Sequence, residues 1–253
     1  MGMNKLGLVL SVAALLALSP AKAQTTLSAG DINLLSLYAD TADAFSFVTW
    51  LDLTAGTTIG FTDRGWTGTD LSSGEGFVTW SNNTGNAIAA GTVIIVTNVQ
   101  TAAIFTDSGS VVKSGSPDFA AAGDQLLAFQ TSGFTTNFLF ALDTTAGWEP
   151  ATDTATGALP LGLSDFSTAI LLGTNTWSGN SSIDNSRYIG PRTGLTITQY
   201  KTAIATPSNW EFDDVRFSGS PNSIDFVIVP EPATWLLVGA GLLGAVVFRR
   251  RRD

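Results

Sequence analysis

Carboxylates are the one reactive group that this chain carries in quantity: 21 Asp and Glu against 12 Lys and Arg, with no His and no Cys in 253 residues. Asp63 stands beside Arg64 and near Trp66, and Asp70 and Glu75 follow in the same predicted loop. Such a set can offer oxygen ligands to Ca²⁺, or the two carboxyls of a glycosidase with Asp63 and Glu75 as the pair. Asp is equally the residue of Asx turns at strand ends, and a turn is the favoured account of this loop. Asp40 with Asp43, and the adjacent Asp213 and Asp214, suit weak Ca²⁺ binding or simply solvated loops. No D-x-[DN]-x-[DN]-G run occurs, so an EF-hand loop is excluded.

The absent residues exclude more. Without His there is no imidazole base, no Ser-His-Asp triad and no His-ligated metal. Without Cys there is no thiol nucleophile, iron–sulfur cluster or disulfide. Ser164 has no His to activate it and sits in no G-x-S-x-G elbow. The expectation is therefore no catalytic residue, no dedicated metal site and no cofactor beyond weak Ca²⁺. Trp50, Trp80 and Trp210 fall among apolar residues and are expected in the core. Trp66, Trp148 and Trp177 lie in predicted loops beside Gly or Thr, where they could stack on a sugar.

The two ends are set aside before the fold is considered. Lys5, the apolar run 6–18 and the Ala21-x-Ala23 site match a secretory signal peptide cleaved after Ala23. Near the other end, Pro230, Glu231 and Pro232 precede an uncharged stretch, 233–248, and then Arg249, Arg250, Arg251 and Arg252. The 16 residues of that stretch would make a helix of about 24 Å, just long enough to span a locally thinned bilayer. Four arginines hold the tail in the cytoplasm, which leaves the body outside, the side that the signal peptide also predicts. Gly239, Gly241 and Gly244 satisfy G-x-G-x-x-G, but inside an apolar helix close to the chain end they are packing residues and not a nucleotide fingerprint.

Pro-Glu-Pro, one short apolar helix and an arginine tail, in that order, resemble the PEP-CTERM sorting signal of Gram-negative bacteria. The resemblance implies recognition at Pro230, Glu231 and Pro232, and membrane retention by the helix and Arg249 to Arg252. It further implies an exosortase-type processing protease as partner, with an inner-membrane precursor and a final place at the cell surface or in the extracellular matrix.

The body, 24–229, holds six basic against 19 acidic residues, with no basic cluster to neutralise phosphates, so nucleic acid is not an expected partner. Thr, Val, Ile and Phe in short runs punctuated by Gly, Asn and Asp point to β structure. Strands are predicted at 32–38, 44–51, 57–62, 76–80, 92–97, 125–130, 137–142 and 169–172. One helix is predicted at 197–205, capped by Thr196 or Thr198 and stopped by Pro207. Short strands and turn signals argue a sandwich or barrel over a parallel sheet with crossover helices.

Within 31–130, the segments Ile88-Ala-Ala-Gly91 through Asn98 and Ala122-Gly-Asp124-Gln-Leu resemble a bacterial lamin-tail domain, an immunoglobulin-like β-sandwich. That resemblance implies an interaction or adhesion module without assigned catalytic residues, extended here by 131–229. The expected protein is an all-β, lamin-tail-like sandwich with one short helix, between a signal helix at 1–23 and a sorting signal at 230–253 with its transmembrane helix at 233–248. Its expected work is non-enzymatic, with extracellular polysaccharide as a candidate partner. The alternatives are an exported carboxylate-dependent polysaccharide hydrolase and a periplasmic ligand or Ca²⁺ binder.

Overall fold

A computed structural model describes residues 23–40, 42–133, 135–145, 147–149, 157–173, 183–214, 217 and 221–231. In chain order the elements are β1 (Ile32–Tyr38), β2 (Ala44–Thr49), β3 (Thr58–Thr62), β4 (Phe77–Ser81), β5 (Val93–Thr97), β6 (Phe105–Thr106) and β7 (Ser110–Ser114). Then come β8 (Gln125–Ser132), β9 (Thr135–Asp143), β10 (Ala169–Leu171), β11 (Asn185–Tyr188), β12 (Thr193–Leu195), α1 (Ile197–Ile204), β13 (Trp210–Asp213) and β14 (Val227–Ile228). Among the described residues they form two six-stranded sheets, β13-β11-β1-β2-β5-β6 and β10-β9-β8-β3-β4-β7, and a separate β12-β14 pair. The described residues form an all-β sandwich with one α-helix.

Alternation explains how the layers meet. In β2, Phe45 and Phe47 point inward, and their rings lie 4.7 and 5.0 Å from that of Phe61 on β3 in the opposite sheet. Trp80 of β4 closes the same cluster edge-on to Phe47, and its indole N–H donates to the Ser108 carbonyl. Each fully buried large apolar side chain contributes roughly 1.5–3 kcal/mol, so this aromatic centre is what holds the sheets together. All seven residues of β1 are buried, because the sheet is covered on its outer side as well. That cover is α1, whose Tyr200 and Ile204 are buried and whose Tyr200 ring stacks on Trp50 at 5.7 Å.

The eight predicted strands all form, with ends moved by no more than two residues. The second stops at Thr49 rather than 51 because Thr49 Oγ1 turns back to the Leu51 carbonyl. The β8–β9 hairpin is longer than predicted, since Ser132 still pairs with Thr135. The helix matches its predicted place, and Thr196 caps it through a reciprocal box with Gln199. The strands not foreseen are β6, β7 and β11 to β14. Most are short, and β11 reads Asn-Ser-Arg-Tyr, a polar string without alternation that is buried by pairing with β1 and β13.

Strands from both halves of the body share both sheets: β9 pairs with β8, and β11 with β1. The predicted signal helix and the predicted membrane helix, 233–248, lie outside the described residues. Among the described residues no helix is long and apolar enough to cross a membrane.

Candidate functional site

The sandwich has two ends of different character. One is marked by Tyr38, Ala44 and Thr97, and gathers acid. Asp43 is fully buried there, and its Oδ2 accepts the Phe119 N–H at 2.6 Å. Asp63, also fully buried, accepts the Asp118 N–H at 2.7 Å. Asp124 accepts from the Ala120 and Gln125 N–H groups, and Asp143 from that of Thr145. Loss of water pushes the Asp43 carboxyl up to about 7, and those of Asp63 and Asp143 to about 6. Burial likewise holds Asp124 well above the usual carboxylate range. Asp184 rises to about 6 through burial and the neighbouring charge of Asp40.

Asp43, Asp63, Asp124 and Asp143 act as internal pins for the loops 115–124 and 143–145, each carboxylate taking backbone N–H groups, whereas Asp184 accepts from Asn185 Nδ2. Among the described residues no group of three or more acidic side chains is placed to hold a metal ion. Asp63 is held from solvent while Glu75 is half-buried, and the charges of both bear on Asp124. Arg64, with which Asp63 was grouped, instead reaches the Glu75 carbonyl through Nε at 3.0 Å and stacks over Phe77 at 4.5 Å. Asp70 is exposed and lies in a turn, but the hydroxyl of Thr67, which accepts the Asp70 N–H, holds that turn in place of the expected Asp side chain. Asp40 accepts from Asn185 Nδ2, while Asp213 Oδ1 accepts from the Asp214 N–H at an exposed strand end. Asp124 was legible as a turn residue, and its carboxylate does serve local N–H groups, those of Ala120 and Gln125; its burial is what the sequence did not show.

Of the tryptophans, Trp50, Trp80 and Trp210 are in the core as expected. Trp66 is half-buried, edge-on to Phe138 at 5.1 Å, and the two line an open groove of about 450 Å³ with Thr69, Asp70, Leu71, Thr135 and Thr136. Trp148 is half-buried, and Trp177 lies outside the described residues. Ser164 is turn backbone: its carbonyl accepts the Thr168 N–H.

The other end holds residues 23–25 and releases the C-terminal segment. Ala23 is exposed, and its carbonyl accepts from Thr54 Oγ1 at 2.8 Å. Thr25 donates to the Asp52 carbonyl, Asp52 Oδ1 accepts the Ala90 N–H, and the Gly91 carbonyl accepts that of Phe226. This line of bonds joins the entry of the chain to its exit.

At the exit Phe226 is buried, 5.2 Å from Trp50 and 4.9 Å from Tyr200. The Tyr200 hydroxyl donates to the Val227 carbonyl, and β14 runs parallel to β12. The Val229 N–H donates to the Leu195 carbonyl at 2.9 Å, after which Pro230 and Glu231 are exposed. Pro232, Arg249, Arg250, Arg251, Arg252 and Ala21 lie outside the described residues.

A family model described as PEP-CTERM protein-sorting motif matches residues 229–252. No curated protein and no solved structure matches the chain. The matched segment thus starts at Val229, where the last backbone bond to the sandwich is made. The chain carries a PEP-CTERM protein-sorting motif, which implies an exported protein with a membrane-anchored precursor that is processed by an exosortase.

Proposed function

We propose that the chain is a non-enzymatic interaction module of the cell surface or extracellular matrix, a lamin-tail-like sandwich delivered there by its C-terminal signal. The observation that carries this reading is the sorting motif, 229–252, following without a spacer on a complete β-sandwich. The absence of His and Cys from the sequence, and the burial of Asp63, support a role in binding. In this reading the body works without a cofactor. Extracellular polysaccharide is the proposed partner, and the groove beside Trp66 is its proposed place. A half-buried indole flanked by Thr69, Thr135, Thr136 and Asp70 supplies a stacking face together with hydroxyl and carboxylate hydrogen bonds.

The test is fractionation with intact-mass analysis in a host with an exosortase and in one without. Loss of the C-terminal segment in the first host alone, with the product in the surface or matrix fraction, is the expected result. An uncut chain in both hosts overturns the sorting part. Binding of the host's purified polysaccharide that is unchanged in Trp66→Ala overturns the assignment of the groove.

A further inference from the structure

We propose that the end of the sandwich bearing Ile189, Ile224, Val227 and Val229 rests on the phospholipid surface of the membrane that anchors the precursor; this extends the sorting reading and depends on it. The first support is the tether. The Val229 N–H is still bonded to the sandwich, and the uncharged segment starts at residue 233. Four residue steps reach at most about 14 Å when fully extended. Part of that length crosses the headgroup layer, which is about 5–8 Å deep on each side of the hydrocarbon. A body of this size has a radius of gyration of about 17 Å, longer than the tether, so the exit end cannot turn away from the bilayer.

The second support is that both membrane-directed segments leave from this end. The bonds from Ala23 through Thr54, Asp52, Ala90 and Gly91 to Phe226 bring the start of the exported chain beside its C-terminal exit. The third is surface chemistry. Ile224 and Val227 are each 61% exposed, Ile189 58% and Val229 41%, and Leu51, beside Asp52, is also exposed. These are five of the nine large exposed hydrophobic side chains among the described residues. Ile189 and Ile224 line one open groove with Arg192, whose guanidinium suits a headgroup layer, and with Arg187, which is already paired with Glu211 at 2.6 Å.

Charge at the exit is small: Arg192 and Lys201 offset part of Asp31, Asp52, Asp225 and the exposed Glu231, so the apolar side chains carry the contact.

The chain has no cysteine, so single labels are clean probes. The full-length chain is reconstituted in vesicles of phosphatidylethanolamine and phosphatidylglycerol, 3:1, and recovered by flotation. Ile224→Cys and Ile189→Cys carry a fluorophore, and the vesicles contain lipid with a nitroxide at the headgroup. Val112→Cys is the reference: it is 63% exposed on β7, whose Lys113 reaches Val99, past the end of β5 opposite to Val93. Quenching at 224 and 189 at least threefold that at 112 is the expected result. Floating vesicles with equal quenching at all three positions overturn the docking and leave the anchor standing. A chain that does not float overturns the anchor, and the docking with it.

Discussion

Asp43 is where pH and folding are most directly coupled. One of its oxygens accepts the Phe119 N–H, while Oδ1 is buried without a hydrogen-bond partner among the described residues. Burial, helped by the charge of Asp118, raises its pKa from 3.8 to about 7. The native state therefore holds a proton that the unfolded chain has lost between about pH 4 and 7, and stability falls as pH rises through that window. The shift corresponds to an upper bound of about 4 kcal/mol, and water entry or relaxation around the ion lowers the working figure to about 2 kcal/mol.

Asp43→Asn keeps the acceptor for Phe119 and puts an amide N–H₂ where the orphan oxygen lies. At pH 8 it should stabilise the protein by about 2 kcal/mol, which for a body of this size is roughly 4–8 °C in Tm. At pH 4 the two proteins should melt together, since the native aspartic acid is then neutral as well. The assay is thermal unfolding of the detergent-solubilised chain at pH 4 to 8, followed by tryptophan fluorescence. A variant whose Tm falls with pH as steeply as the parent's, or that melts lower at pH 8, would refute the assignment of the buried charge.

Three further outcomes are expected. Gly91 has φ +89°, and a Cβ there would come within 2.6 Å of the Phe226 carbonyl oxygen, so Gly91→Ala should cost about 1–3 kcal/mol, read as a lower Tm. Phe226→Ala empties the space between Trp50, Tyr188 and Tyr200 and should cost about 3–5 kcal/mol; faster proteolysis after the released strand β14 would reveal it, and unchanged cleavage would count against β14 as the tie. Glu231→Gln should abolish C-terminal processing in an exosortase-bearing host with no change in Tm, because Glu231 is exposed; a matched drop in Tm would mean that the motif also supports the fold.

What was legible in the sequence had local causes. Pro230 to Arg252 is a linear pattern that acts apart from folding. The strands with alternating Phe, Ile and Trp, and the helix between Thr196 and Pro207, were equally visible because period and caps reside in a few adjacent residues. What the string of residues could not express was pairing at a distance. Asp63 looked like one member of a surface acidic loop, yet an N–H 55 positions away draws it into the interior. Asp43 became a buried pin for the same reason, through an N–H 76 positions away, and β11, polar up to Tyr188, became an inner strand because β1 and β13 close on it. The shared end for chain entry and exit likewise arose only when Asp52, Ala90 and Phe226 met. Burial and long-range hydrogen bonds are properties of the assembled sheets, and no window along the chain contains both partners.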